Sequence, residues 1–590
     1  MSIHQENLPI NNAASTAMEE AYELRIGAVG HRNLAQPAAM DAAVRRLLER
    51  ISRTLTKDHA TPIRWIVASP LAKGADRIIA LAALEVVQAR LDVITPFSLE
   101  EYRRDFAEQE DAAEFEDLFG RRENLTILSQ LDPKSSELPA IADGLESLTK
   151  EQRHRGYLQV GQAVVDAVEI LIVIWDGKPA AGLGGTGDII PYALARGRII
   201  IRLDPNDPAA EPVLVRLGSE KEGLEKEWTY APLPDTAVGL STGYIELDKY
   251  RRDDAISESD ISRNSEATRR WLYGIASRHG LSEGLFERVV KYVLLQYSRA
   301  DLLANYYHKR YTRANVGLFA LTAFAVTAAT AQKLFPAPLA LWIVAELTAL
   351  VVALAWLRRS RHKNWHRKWL ESRYIAEHLR TAMFTVLRQL NDQSFKTEAP
   401  SSLRYYTGPG HWLSDYCGRI IREACQQQPP RESQEQIQNF IREAWIEEQL
   451  HWHRKNAKRR AVENYRIHRA GQLFFIATLI LGFLHLLGLG HHGTAIGTYL
   501  DFDDWMTFFA IVLPAWGAAI HAINNQLEIG RMVGRSRGMV EALSEARDKL
   551  RSAQTSTARW KIILETERLL HHEQYEWWVL LSFREMPLPT

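Results

Sequence analysis

Four long apolar segments dominate the hydropathy pattern in the second half of the chain. They are Ala314–Gln332, Leu334–Leu357, Ala470–Gly490 and Trp505–Leu527, and each contains 19 to 24 residues. A helix of about 20 apolar residues crosses the hydrocarbon core of a bilayer. We therefore predict four transmembrane helices in two hairpins. The alternative, four buried helices of a large soluble bundle, agrees less well with the charges that flank the segments.

Positive charge flanks these segments asymmetrically. Blocks of Lys and Arg follow the second segment, precede the third and follow the fourth. The connection within the first hairpin has one basic residue, Lys333, and the connection within the second has none. Cytoplasmic loops are enriched in Lys and Arg, so we predict that both termini and the region between the hairpins face the cytoplasm.

A short motif of the form S-R-x-[I/M]-x-E-x-L follows each hairpin. It occupies Ser372–Leu379 after the first hairpin and Ser536–Leu543 after the second, and an Arg-Ala pair opens each hairpin. The Arg and Glu of the motif are four residues apart, so they share one face of a helix and can form an ion pair. These features predict an internal repeat, in which a cytosolic helix, a hairpin and a second cytosolic helix occur twice.

Short apolar runs alternate with helical patterns in the first third of the chain. The six runs are Leu24–Val29, Ile63–Ala68, Leu91–Phe97, Leu125–Leu128, Ile170–Trp175 and Arg198–Leu203. Continuous apolar runs are typical of strands that are buried on both faces of a parallel sheet. The pattern predicts a doubly wound, Rossmann-like α/β domain, whose ligands bind at the carboxyl ends of the strands.

Length and composition divide the 590 residues into several parts. We predict a disordered N-terminus (1–21), an α/β domain (22–204), a linker or subdomain (205–285), a first membrane repeat (286–393), a cytosolic insert (394–440), a second membrane repeat (441–555) and a C-terminal cytosolic helix or tail (556–590). The 72 basic residues balance 72 acidic ones, which argues against a nucleic-acid-binding protein. Two cysteines exclude a disulfide scaffold, and no His cluster has metal-ligand spacing.

Glycine and polar residues follow three of the predicted strands, in Gly30–Asn33, in Ser69–Arg77 and in Asp176–Asp188. Glycine lets the backbone approach a phosphate, and the next helix offers unpaired N–H groups. The candidate ligand-binding residues are Gly30, His31, Arg32, Ser69, Lys73, Gly74, Asp76, Arg77, Asp176, Gly184, Gly185, Thr186, Gly187 and Asp188. The alternatives are that tight turns need glycine, that the basic side chains are solvated, and that Asp76 caps its helix.

The motifs GHRNL, SPLAKGADRIIA, ITPFSLEEYRRDF and ILIVIWDGKPAAGLGGTGD resemble the SLOG superfamily. That superfamily includes the cytokinin-activating phosphoribohydrolases and the DNA-processing protein A family, and the resemblance covers residues 22–204. It implies binding of a nucleotide-derived messenger, of ADP-ribose type or a cyclic nucleotide, with no resident cofactor. A SLOG domain joined to paired transmembrane helices resembles the SLATT-type effectors of prokaryotic conflict systems. This resemblance implies a homo-oligomeric effector of the bacterial inner membrane that permeabilises the bilayer in antiphage defence by abortive infection.

One departure from the hydrolase branch concerns catalysis. The hydrolases continue P-G-G-x-G-T-x-x-E, and aligning the glycines puts Asp188 at the Thr and Pro191 at the catalytic Glu. Arg153 and Arg155 stand where the hydrolases have a catalytic Arg. Without the Glu we expect a binding site and assign no catalytic residue. The alternatives are a membrane-tethered nucleotide glycosidase or phosphoribohydrolase, and a metabolite-regulated ion channel.

The second apolar segment contains one charged residue, Glu346. It is twelve residues into the segment, which predicts a position near the bilayer centre. A carboxylate there is costly against lipid, so we expect it to face protein or a water-filled path. It either packs helices together or lines an oligomeric pore, with His485 and His521 as possible partners.

Overall fold

The computed structural model describes residues 21–106, 108–131, 148–180, 182, 184–217, 228–334, 339–391, 411–425, 432–487 and 502–582. The chain forms two compact units, Met1–Asp253 with Thr407–Trp412, and Asp254–Tyr406 with Leu413–Thr590. The segment that was expected to be disordered lies outside the described residues except for residue 21, and so does part of the expected cytosolic insert.

The first unit contains an eight-stranded sheet among its described residues. The strands are β1 (Tyr22–Gly30), β2 (Ile63–Ser69), β3 (Arg90–Thr95), β4 (Arg122–Ile127), β5 (Ile170–Ile174), β6 (Ile199–Leu203), β7 (Val213–Leu217) and β8 (Trp228–Pro232). Their order is β4-β3-β2-β1-β5-β6-β7-β8. Strands β1 to β6 pair with one another in parallel, and β7 pairs antiparallel with both β6 and β8. The predicted α/β sheet is confirmed, and its first six strands match the six apolar runs.

Strands β7 and β8 come from the region that the sequence pattern describes as a linker or subdomain. They extend one edge of the sheet, and the compact unit continues to Asp253 rather than ending at residue 204. The run Val213–Leu217 is five residues long and follows a stretch with three prolines in residues 205–212. The neighbouring prolines favour a loop, and pairing with β6 and β8 forms the strand.

Seven helices connect the parallel strands of the first unit among its described residues, and an eighth follows β8. They are α1 (Pro37–Thr56), α2 (Ala75–Val86), α3 (Leu99–Arg103), α4 (Gln109–Gly120), α5 (Leu128–Leu131), α6 (Lys150–Ala167), α7 (Thr186–Ala195) and α8 (Thr242–Arg251). All five residues of β5 are buried, which explains its unbroken apolar sequence. Helix α6 begins with a capping box, in which Thr149 and Gln152 each accept a hydrogen bond from the other's backbone N–H.

The C-terminal region is helical among its described residues. Its helices are α9 (Glu258–Arg278), α10 (Leu295–Leu334), α11 (Leu339–His362), α12 (Trp365–Asn391), α13 (His411–Cys425), α14 (Gln434–Ile441), α15 (Glu448–Leu486), α16 (Phe502–Leu527), α17 (Ile529–Ser552) and α18 (Ser556–Ser582). The described residues include four helical stretches that are long and apolar enough to cross a membrane, and these contain α10, α11, α15 and α16. The prediction of four such helices is confirmed.

The four apolar helices pack side by side in a row. Helix α10 packs against both α11 and α16, and α16 packs against α15. Trp516 of α16 donates to Thr327 Oγ1 of α10 at 3.1 Å, which ties the two central helices together. Helix α15, in contrast, exposes large apolar side chains such as Leu473 and Phe475, which are 66% and 65% exposed. Among the described residues, each apolar helix therefore packs against one or two of the others, in the order α11, α10, α16, α15.

The helical region has two halves, each with two apolar helices, and their elements follow in the same order. A π-helix precedes each long helix, Val289–Leu294 before α10 and Arg442–Glu447 before α15. A residue with left-handed backbone follows the second apolar helix of each half, Asn364 and Glu528, both with φ of 49°. Each lies eight residues before the Ser of the S-R motif.

The ion pair expected from the S-R motif forms in one half. Arg373 pairs with Glu377, and Arg380 binds the other carboxylate oxygen of Glu377. In the second copy, Arg537 and Glu541 are both exposed, and the described contacts include no ion pair between them.

Candidate functional site

The strand order of the first unit reverses between β1 and β5. From β1 the chain adds β2, β3 and β4 on one side and then β5 and β6 on the other. In a parallel α/β sheet, the connections on the two sides of such a point leave a crevice at the carboxyl ends of the strands, where ligands bind. A cavity of about 440 Å³ lies here, beside Gly30 at the end of β1 and Trp175 after β5. We call it the strand-end cavity.

Nine of the fourteen candidate residues line the strand-end cavity. They are Gly30, His31, Arg32, Asp76, Asp176, Gly184, Gly185, Thr186 and Gly187. They come from all three loops that the sequence singles out, so the fold brings those loops together at one edge of the sheet.

The glycine loop forms one wall of the cavity and leads into α7. Gly184 has φ of +87°, a left-handed conformation that favours glycine, and Gly185 is the N-cap of α7. Thr186 and Gly187 belong to the first turn, where backbone N–H groups have no acceptor within the helix. Asp188 is outside the lining, and its Oδ2 accepts from the Gly184 N–H at 3.0 Å. The loop therefore presents a helix N-terminus to the cavity, and Asp188 shapes it.

His31 and Asp176 connect the loops after β1 and β5. The Asp176 N–H donates to His31 Nε2 at 3.1 Å, and His31 N–H donates to the Ile174 carbonyl at 3.0 Å. Burial opposes ionisation of Asp176, but the Lys178 N–H and His31 more than compensate and lower the pKa of the carboxyl. Asp176 is therefore an anion that holds the loop.

Four residues of the second loop stabilise the loop itself and do not line the cavity. The buried Arg77 guanidinium binds Asp111 at 2.5 Å and donates to the Leu71 carbonyl at 3.0 Å. Ser69 Oγ accepts from the Leu71 N–H at 3.0 Å. Lys73 pairs with Glu108 at 3.0 Å on the surface. Gly74, with φ of +86°, brings the loop against the backbone of the first loop, so that the Ala75 N–H donates to the His31 carbonyl at 3.1 Å.

Asp76 is the one candidate residue of that loop in the cavity lining, where Pro70 and Ala72 accompany it. Its side chain is buried, and burial raises the pKa of the carboxyl to about 8, although Arg32 and the backbone of Ala72 and Gly30 favour the charged form. At neutral pH it therefore presents a carboxylic acid, which both donates and accepts hydrogen bonds.

Aromatic residues complete the cavity, and the sequence analysis did not single them out. They are Tyr102, Tyr157 and Trp175. The Arg32 guanidinium lies 5.0 Å over the Tyr157 ring, and the Tyr157 hydroxyl binds Asp105. Tyr102 could have been found from the sequence, because it belongs to the ITPFSLEEYRRDF motif. An aromatic residue in such a run is, however, as typical of a hydrophobic core as of a ligand site.

Arg153 and Arg155 occupy positions outside the lining. Arg153 is bound to Asp105 and Glu101, and Arg155 pairs with Glu151 at 2.9 Å. Neither guanidinium is therefore placed to act on a ligand in the strand-end cavity. Among the described residues, no group of three or more His, Cys, Asp or Glu side chains could hold a metal ion.

Glu346 joins two of the apolar helices. Helix α11 begins at Leu339, so Glu346 is about 10 Å from the start of the helix. Gln332 of α10 donates to Glu346 Oε2 at 2.8 Å. This partner is an amide on the neighbouring helix, whereas the position near the bilayer centre and a pairing with His485 or His521 stay predictions.

Comparison with known proteins adds no family to these observations. No protein-family model matches the chain, and no curated protein matches it. The features of the chain that bear on its function are therefore the strand-end cavity and the apolar helices.

Proposed function

We propose that this chain is a membrane effector that senses a nucleotide-derived messenger through a SLOG-type domain. The messenger, of ADP-ribose type or a cyclic nucleotide, binds the strand-end cavity. Binding drives assembly or opening of the membrane helices, which permeabilises the bacterial inner membrane and arrests the infected cell. The proposed oligomer contains several copies of this chain, with both termini in the cytoplasm.

The observation that carries this proposal is the composition of the strand-end cavity. One wall is the glycine-rich N-terminus of α7, whose N–H groups and helix dipole favour a phosphate. Arg32 and Tyr157 also line the cavity, and the guanidinium over the ring is a pair suited to stacking on a base. Its volume of about 440 Å³ is within the range of small-molecule sites. A phosphate site and a stacking surface in one cavity together suit a nucleotide.

The membrane region supports an assembled effector. Its four apolar helices pack in the order α11, α10, α16, α15 among the described residues, and such an open arrangement favours a pore built from more than one copy. The shared order of π-helix, long helix, apolar helix and left-handed residue supports an internal repeat. The long helices α10 and α15 each continue without a break beyond their apolar segments. A messenger can drive the change only by binding the assembled state more tightly, and each tenfold preference contributes about 1.4 kcal/mol.

The experiment uses the full-length protein in liposomes made of bacterial lipids. ADP-ribose and cyclic nucleotides are added separately, and leakage of an entrapped dye is recorded beside binding measured by calorimetry. We expect one of these ligands both to bind and to release the dye. Binding without leakage would remove the effector role, and leakage that is independent of every ligand would remove the sensing role.

A second candidate function is hydrolysis of a nucleotide at its glycosidic bond, and Asp76 is the observation that favours it. A buried carboxylic acid with a pKa of about 8 is a suitable general acid at neutral pH. It would protonate the leaving base as the bond between C1′ and the base nitrogen breaks and a water oxygen bonds to C1′. The proton that the water loses returns to the Asp76 carboxylate, and the products are free base and ribose 5-phosphate. Release of free base from nucleoside monophosphates, lost in Asp76→Asn, would establish this enzyme.

A further inference from the structure

A second cavity lies within the helical unit. It has a volume of about 310 Å³, and its walls come from α9, the start of α10, α12, and the second π-helix with the start of α15. We call it the helical-unit cavity. Small-molecule sites have volumes from about 300 Å³ upward, so this cavity can hold a compact ligand such as a bicyclic ring.

Four aromatic side chains line the helical-unit cavity. They are Trp271, Tyr297, Phe384 and Trp445. Phe384 and Trp445 are buried and stack with their ring centroids 5.8 Å apart and an angle of 15° between the planes. Trp271, in contrast, is 40% exposed. The indole ring of Trp271 lines the cavity and is partly exposed, so it offers a flat apolar face to a ligand. The walls therefore favour a planar ligand.

A basic, an acidic and a hydroxyl side chain line the cavity beside these rings. Arg380 is held by Glu377 and by Gln449, whose amide oxygen, when turned toward Arg380, accepts from Nε at 3.2 Å and from Nη1 at 3.3 Å. Thr268 adds a hydroxyl, and the exposed Glu448 adds a carboxylate. The lining thus contains one guanidinium and one carboxylate, whose opposite charges balance. It suits a neutral ring whose edge both donates and accepts hydrogen bonds.

The position of the cavity links it to both long helices. Trp445 belongs to the π-helix Arg442–Glu447, which runs directly into α15. Tyr297 lies just after the π-helix Val289–Leu294, at the start of α10. Single π turns recur at functional sites, where they widen a helix and redirect its side chains. A molecule in this cavity touches both helices near the points where they leave their π-helices.

We propose that the helical-unit cavity is a second ligand site, which takes a neutral planar heteroaromatic molecule of nucleobase size. Its occupancy stabilises one packing of α10, α12 and α15, because a ligand favours the arrangement that it binds best. The site is built within the helical unit alone. This proposal is therefore tested independently of the proposed sensing of a messenger in the strand-end cavity.

The test measures binding of free adenine and free guanine to the full-length protein in detergent by calorimetry. The Gly185→Glu background is used in parallel, so that binding at the strand-end cavity is recognised. We expect one base to bind with one molecule per chain in both backgrounds. Trp271→Ala should weaken that binding about five- to 100-fold, which is the range for loss of one stacking partner of a base.

Trp452→Ala is the matched control, since Trp452 is 38% exposed on α15 and is outside the lining. It should bind as the wild type does. Thr268→Val, a nearly isosteric change, should also weaken binding, and it keeps the test valid if Trp271→Ala fails to fold. The absence of binding by either base at millimolar concentration would overturn the proposal. Equal affinity in the wild type, Trp271→Ala and Thr268→Val would do the same.

Discussion

At the scale of single residues, Asp76 makes the stability of the first unit depend on pH. Its carboxyl has a pKa of about 8 in the folded protein and an ordinary, lower pKa when unfolded. The folded state therefore holds the extra proton, and this contribution is complete below pH 4 and lost as pH rises toward 8. Asp76→Asn mimics the protonated form. Between pH 6 and 8, the wild type should lose up to about 2 kcal/mol of unfolding free energy relative to the variant.

Thermal unfolding of the full chain in detergent at pH 6 and pH 8 measures this difference. Asp254→Asn, at an exposed position, is the control and should follow the wild type. A wild type and an Asp76→Asn variant with the same pH dependence would contradict the buried neutral carboxyl.

Gly185 and Asp188 test the phosphate end of the strand-end cavity. A Cβ at Gly185 would lie 2.9 Å from Ala180 Cβ, and the carboxylate of Gly185→Glu would repel a phosphate at the start of α7. We expect at least a tenfold loss of affinity for the messenger identified in the liposome experiment. Asp188→Ala removes the acceptor of the Gly184 N–H and should cost about three- to tenfold.

Calorimetry with the full-length protein measures both affinities. Gly120→Glu adds the same charge at a position where a Cβ meets nothing within 4 Å, and it should bind normally. Unchanged affinity in both the Gly185 and Asp188 variants would move the phosphate site elsewhere.

At the scale of elements, Asn364 sets the turn between α11 and α12. Its φ of 49° lies in the left-handed region, which asparagine and glycine adopt at little cost and β-branched residues avoid. Asn364→Val should destabilise the helical unit by about 1–2 kcal/mol, and Asn364→Gly should be nearly neutral. Thermal unfolding in detergent compares the two variants, and equal melting temperatures would show that the turn relaxes without strain.

Glu346 joins α10 to α11 through Gln332. Glu346→Gln keeps a hydrogen-bond acceptor for Gln332, whereas Glu346→Leu leaves the Gln332 amide unpaired at a cost of about 1 kcal/mol. We expect dye leakage to be nearly unchanged in both variants, because the pair connects helices within one chain. A changed ion selectivity in Glu346→Gln would instead place the carboxylate in a conducting path.

At the scale of the whole molecule, the distribution of basic residues predicts the orientation in the membrane. Both termini should be cytoplasmic, since the positive blocks lie outside the two hairpin connections. A fluorescent protein fused to the C-terminus should mature, and an alkaline phosphatase fused there should be inactive. The same phosphatase inserted in the second hairpin connection should be active, and the reverse pattern would overturn the topology.

The predictability of the strand-end cavity differs from residue to residue. The three loops could be found in advance, because glycine and polar residues end buried strands at Gly30, Ser69 and Trp175. Arg77 could not be distinguished from Arg32 by its sequence context. Arg77 is bound within the protein by Asp111, whereas Arg32 lies in the cavity lining. Asp111 is 34 residues away in the chain, so its pairing depends on how α4 packs.

The amino-acid sequence by itself determined the first six strands of the sheet and the four apolar helices. Continuous Val and Ile runs specify buried strands, and 19 to 24 apolar residues specify a helix that can span a bilayer, because both follow from local composition and length. Tertiary structure alone decided which side chains meet. It placed Glu346 against Gln332, added β7 and β8 to the sheet, and buried Asp76 deeply enough to keep its proton. Contacts and desolvation depend on residues distant in sequence, and no local pattern records them.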